Sequence, residues 1–244
     1  MLFKLGPISL PILPQAIPSM SPLLAIMPAP AHKRASSGKE SEGKLKSIAR
    51  SYLYKDILQF QNIKHAEAIE KLLQALALQI GNEVSYNELA QMTGIDKNTA
   101  ASYIRILEQA FIIFRLQPFS RNLRNELKKL RKIYFFDTGI RNALINNFNP
   151  PNLRQDTGAL WENFVISERI KYNHNNNLEK NVYFWRTREG KEIDYLEEKG
   201  GTLRGFEIKW QEEKFRIPKL FLQNYPGNTV HLLNRKNYQE IIRS

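Results

Sequence analysis

Asp194 and Glu207 flank the Gly200-Gly201 pair in the stretch EIDYLEEKGGTLRGFEIKW, residues 192–210. A two-residue hairpin turn at the glycines would set Asp194 opposite Glu207 and Glu192 opposite Lys209. Alternate strand residues share a face. Glu192, Asp194, Glu207 and Lys209 are therefore expected on one face, and Ile193, Tyr195, Phe206 and Ile208 on the face that enters the core. Opposed Cβ atoms lie roughly 4.5–5.5 Å apart, so two carboxylates there repel unless a cation joins them. Mg2+ or Mn2+ takes such oxygen ligands and completes its shell with water and phosphate. A cation held by Asp194 and Glu207 would polarise a phosphodiester and lower the pKa of a bound water. Lys209 would orient that water or offset charge on the attacked phosphate. The alternative is a solvated hairpin face with Glu192 and Lys209 as a surface ion pair.

Such a hairpin needs a sheet and a covering helix. The segment GALWENFVISERI, 158–170, has an apolar side of Leu160, Trp161, Phe164, Val165 and Ile166 and reads as an amphipathic helix. NVYFWRT, KEIDYLEE and TLRGFEIKW read as three strands, separated at Glu189-Gly190 and Gly200-Gly201, in a meander. Arg186 and Arg188, at the turn before Asp194, are placed to meet phosphate or solvent. Trp161, Trp185 and Trp210 are expected in the core. The last segment reads as helix, a turn at Pro226-Gly227, the strand TVHLL and a short helix, which completes a sheet flanked by helices.

The preceding region has a different organisation. Residues 48–60 and 65–80 carry helical patterns, the second closed by Gly81. Ser85 with Glu88 forms a capping box, Thr93-Gly94-Ile95 a tight turn, and Asp96 caps a helix running to about Gln109. Helix, glycine turn and helix at this spacing predict a helix-turn-helix. FIIFRLQPFS and KIYFFD then flank a basic loop, as in a wing. Seven Lys or Arg and one acid lie from Arg115 to Lys132. Lys97, Asn98, Thr99 and Arg105 of the second helix, with Arg121 and Arg124 of the loop, are the expected DNA contacts. The alternative is that the module binds a protein or a neighbouring domain.

Composition bounds the rest. The 244 residues carry a net charge of +12, a balance that favours polyanions, nucleic acid first among them. There is no cysteine, which excludes a disulfide scaffold and suits a cytoplasmic protein. The four histidines are scattered and suggest no zinc site. Residues 1–31 hold seven of the twelve prolines and no apolar run long enough to span a membrane. They are expected to be disordered, or an extension of the reading frame, with 32–46 as a polar linker. Gly38, Gly43 and Lys44 mimic a phosphate loop, but Leu45 stands where Ser or Thr is needed and no strand precedes. No ATP site is expected.

Asp194 followed by Glu207-Ile208-Lys209 resembles the D…E-x-K core of the PD-(D/E)XK nuclease superfamily. Glu162, four residues after Gly158, resembles the helix glutamate found in Holliday-junction resolvases of that superfamily. Glu168 competes for that place but lies roughly 240° further round the helix. The resemblance implies Glu162, Asp194 and Glu207 as metal ligands and Lys209 as a catalytic residue. SYLYKDIL, VSYNELAQMTGI, FRLQPFSRNLRNELKK, IYFFDTGIRNALI, GALWENFVISE, YFWRTREGKEIDYL and EIKW together resemble the C-terminal half of a prokaryotic AAA-type ATPase family that carries domain of unknown function 4143. It implies an α/β (α+β) chain: a helical connector at 47–81, a winged helix-turn-helix at 82–149, and a restriction-endonuclease-like mixed sheet flanked by helices at 150–244. It also implies an upstream P-loop ATPase, in whose place this sequence has its proline-rich tail. The expectation is a truncated gene or an ATPase encoded separately. Three functions follow: a Mg2+-dependent DNA nuclease, a non-catalytic DNA-binding or protein-docking remnant of the ATPase, and a transcription factor.

Overall fold

The computed structural model describes residues 66–119, 130–187, 189–211 and 214–242, with the single positions 43 and 47. The tail, nearly all of the linker, the helix expected at 48–60, Arg121, Arg124 and Arg188 lie outside the described residues.

The expected helix at 65–80 is α1, Ala66–Leu78. The short strand β1, Glu83–Val84, leads into α2, Tyr86–Thr93, and α3, Lys97–Gln109. Local chemistry fixes these ends. Ser85 Oγ accepts from the backbone N–H of Glu88, and Gly94 ends α2 at φ 70°, a left-handed conformation that glycine adopts without Cβ strain. Asp96 accepts from the N–H groups of Asn98 and Thr99 at the start of α3. Strands β2, Ile113–Pro118, and β3, Arg131–Phe135, pair antiparallel. Then come α4, Thr138–Leu144, a 3-10 turn at Pro151–Leu153, and α5, Thr157–Asn175.

Strands β4, Asn181–Arg186, β5, Glu192–Lys199, and β6, Thr202–Ile208, form the expected meander. Helix α6, Lys219–Asn224, strand β7, Thr229–Leu233, and helix α7, Tyr238–Ile242, close the chain. All seven strands belong to one mostly antiparallel sheet, in the order β1-β3-β2-β4-β5-β6-β7. Its parallel pairs are β2 with β4 and β6 with β7.

One buried cluster joins α1, α3, the β2–β3 hairpin and α5 to Tyr195, Phe206 and Ile208. A second, around Phe221 of α6, gathers Trp185, Ile193, Leu196 and Leu203. Helix α5 is not the amphipathic helix expected from its apolar residues. It is buried on nearly all sides, with Asn163, Ser167, Glu168, Arg169 and Lys171 inside. Its polar residues are tolerated because they are paired. Asn163 both donates to Phe135 O and accepts from Phe135 N, at 2.7 and 2.8 Å.

Candidate functional site

The Gly200-Gly201 turn has both φ angles positive, 60° and 80°, as the expected two-residue hairpin requires. The register is also as expected, from Lys199↔Thr202 to Tyr195↔Phe206. Beyond that pair the side chain of Asp194 takes over, accepting from Ile208 N–H at 2.8 Å. The carboxylate is thereby pinned beside the strand that carries Glu207.

One expectation about the faces is corrected. Tyr183 pairs with Leu196 but Trp185 with Ile193, so β5 carries a bulge at Asp194-Tyr195. The extra residue breaks the two-residue alternation. Ile193 therefore packs with Leu196 and Leu203, while Tyr195 packs in the other cluster with Phe206. Bulges re-aim side chains, and this one sits at the aspartate that the sequence singled out.

The carboxylates converge on a residue that the sequence reading missed. Lys132, on β3, has a side chain only 2% exposed. Its Nζ lies 3.2 Å from Glu162 Oε1, 3.1 Å from Glu192 Oε1 and 3.8 Å from Asp194 Oδ1. Tyr134, two residues on and thus on the same face of β3, donates to Glu162 Oε1 at 2.5 Å. Burial works against the charge on Lys132, but Glu162, Asp194 and Glu192 outweigh it and raise its pKa. In the sequence Lys132 reads only as one charge of a basic loop. The alternation RKIYF, which points Lys132 and Tyr134 the same way, was the available signal.

Glu162 is thus in the cluster and Glu168 is not. Glu168 is buried with Lys171, whose Nζ donates to it at 2.8 Å. Glu192 does not pair with Lys209; it faces Lys132, with Arg186 at 3.6 Å. Lys209 instead lies 2.7 Å from Glu207 Oε1, and its side chain is 35% exposed.

Burial raises the pKa of Asp194 well above the usual carboxylate range, helped by the charges of Glu162 and Glu207 and opposed by Lys132. Burial also raises Glu207, against the pull of Lys209. Four carboxylates therefore share two close lysines. Glu207 Oε2 is buried without a hydrogen-bond partner, an arrangement that calls for an ion or water. No group of three or more Asp, Glu, His or Cys side chains is set to hold a metal among the described residues. Glu162 spends Oε1 on Lys132 and Tyr134. Asp194 and Glu207 remain as a two-carboxylate pair, which fits a hard cation that keeps several waters.

Of the expected DNA-contact residues among those described, Arg186 borders the cluster through Glu192, at 3.6 Å. Lys97, Asn98 and Arg105 are exposed on α3, and Thr99 is half-buried beside Asp96. Arg186 is held by Glu83 at 3.1 Å.

Fold and site define a mixed α/β protein with a buried carboxylate–lysine cluster where β3, α5 and the β5–β6 hairpin meet. The chain belongs to the family described as Domain of unknown function (DUF8612), whose model matches residues 23–151. A second model, Domain of unknown function (DUF4143), matches residues 157–236. The expected likeness to DUF4143 therefore holds for the C-terminal segment, and the upstream segment matches another family. Uncharacterized proteins of Mycobacterium tuberculosis (Rv2008c) and Mycobacterium bovis (Mb2031c) are each 29% identical over 177 residues, 72% of this chain and 39% of theirs. An uncharacterized protein of Methanocaldococcus jannaschii (MJ1637) is 24% identical over 165 residues, 67% of this chain and 32% of its own. The chain thus spans well under half the length of these relatives. No solved structure matches it significantly. No helix among the described residues is long and apolar enough to cross a membrane.

Proposed function

We propose that the chain is a DNA-binding protein whose C-terminal part is a PD-(D/E)XK nuclease-like domain that hydrolyses phosphodiester bonds with Mg2+ or Mn2+. The observation that carries the reading is the Asp194–Glu207 pair, with an unpartnered buried oxygen on Glu207 and Lys209 beside it. When bound, the cation supplies polarisation of the phosphodiester and acidification of a water. The chain's own residues do the rest. Asp194 and Glu207 hold the cation. Lys209, partly exposed beside Glu207, orients the attacking water and offsets charge on the phosphate. Lys132 and Tyr134 hold Glu162 in place and neutralise it.

What supports DNA as the substrate is the net charge of +12 and the α2–Gly94–α3 unit followed by a β2–β3 hairpin, read as a winged helix-turn-helix. A separately encoded ATPase is the proposed partner, and the cytoplasm the proposed location. The test is cleavage of branched and linear DNA in Mg2+ or Mn2+. Cutting by the wild type that is lost in both Asp194→Ala and Glu207→Ala is expected. Cutting that survives either change would refute the site.

One observation favours a second reading, a non-catalytic DNA-binding or docking module. Lys132 already engages three of the four carboxylates, so the cluster has a built-in cation. Retained DNA binding without cutting on any substrate would select it.

A further inference from the structure

A pocket of about 380 Å³ is lined by Pro151, Asn152, Thr157, Trp210, Gln211 and Arg235. Two chain segments tie it to the site. Trp210 and Gln211 directly follow Lys209, so their Cα atoms lie within roughly 4 and 7 Å of its Cα. Thr157 precedes Glu162 by five residues on α5, a rise of roughly 7.5 Å. Pocket and cluster are therefore linked through the start of one helix and the end of one strand, a separation that about one or two nucleotides of a strand can span.

The pocket's chemistry is specific. The Arg235 guanidinium lies over the Trp210 ring, 4.5 Å from its centroid. The edge-on Trp161 ring, 5.5 Å away, braces the indole from the core. Indole and guanidinium are both groups on which flat aromatic rings stack. Asn152 and Gln211, both exposed, are primary amides that donate and accept in one plane, as the edge of a nucleobase demands. No carboxylate lines the pocket, so a phosphate attached to that ring meets only Arg235. A planar ring with a two-way hydrogen-bonding edge and an anionic attachment is a nucleotide.

We propose that this pocket receives one unpaired nucleotide of the DNA strand bound at the carboxylate cluster, its base against Trp210 and Arg235 and its edge on Asn152 and Gln211. The inference rests on the DNA reading above and adds a substrate class to it: DNA with a single-stranded extension or flap rather than blunt duplex.

The experiment is binding of the full chain to three labelled DNAs without added metal: a blunt duplex, the same duplex with a single-stranded extension, and that extension made abasic. Wild type is expected to bind the extended duplex about tenfold more tightly than the other two. Arg235→Ala and Gln211→Ala, both at exposed positions, should each reduce that preference and leave blunt-duplex binding within a factor of about two. Equal binding of all three DNAs by wild type, or a preference untouched in both variants, overturns the pocket and leaves the DNA reading standing. No binding to any DNA overturns both. Free thymidine monophosphate binding at the pocket without any strand preference overturns the assignment to a strand.

Discussion

Lys132 Nζ sits 3.2 Å from Glu162 Oε1, joining a strand of the N-terminal half to the helix that opens the C-terminal half. Both side chains are largely buried. Removing one partner of a buried ion pair leaves an uncompensated charge, which costs about 3–5 kcal/mol. Lys132→Met should lower the urea midpoint accordingly, and Lys132→Met with Glu162→Gln should recover part of the loss. Additive effects in that double-mutant cycle would refute the coupling.

The metal reading separates the three expected ligands. Calorimetric titration with Mn2+ should show binding to wild type, lost in Asp194→Asn and in Glu207→Gln. Glu162→Gln should weaken it by about 10–100-fold without abolishing it, because Glu162 is committed to Lys132 and Tyr134 and acts on the site through them. The raised pKa values of Asp194 and Glu207 mean that cation uptake displaces protons, so affinity should rise with pH. Affinity independent of pH would refute this account.

Glu197 sets a different pH dependence. Arg169 grips it with two nitrogens, at 2.6 and 3.0 Å, and Lys180 and Asn173 add bonds at 2.8 and 2.9 Å. Burial opposes the charge, but these partners lower its pKa to about 2. A depressed carboxylate pKa stabilises the fold above the unfolded value near 4.3. That contribution, on the order of 3 kcal/mol, is lost as pH falls toward 2. Glu197→Gln should destabilise the protein at pH 7 and flatten its unfolding curve between pH 5 and pH 2. An unchanged acid slope would refute the assignment.

The helix-turn-helix reading predicts how affinity depends on salt. Lys97 and Arg105 are exposed on α3, and each phosphate contact releases counterions. Replacing both with Ala should weaken DNA binding across sequences and reduce the slope of log affinity against log salt by about 2. A full-length slope in the double variant would remove α3 from the interface.

The hairpin was legible because its grammar is local. Two glycines fix the turn, the turn fixes the register, and the register places Asp194 near Glu207. Helices α2 and α3 were legible for the same reason, through their caps at Ser85, Gly94 and Asp96. What escaped was set by distant partners. Nothing near Asp194 in the chain announces a bulge, because it is defined by the mismatch with β4. Helix α5 looked half-exposed because Glu168 and Arg169 hide their partners, Lys171 aside, on other elements. Lys132 looked like one charge among seven because its carboxylates come from residues 162, 192 and 194.

The sheet order has a consequence for dissection. The two family matches divide the chain between residues 151 and 157, yet β4 lies against β2, with Gln117 beside Tyr183 and Pro118 beside Phe184. A cut at that division would leave each fragment with a raw sheet edge, a template for aggregation. Expressed apart, the pieces should precipitate; expressed together, they should find each other and reconstitute one particle. The boundary drawn by sequence likeness is not a seam along which the molecule comes apart.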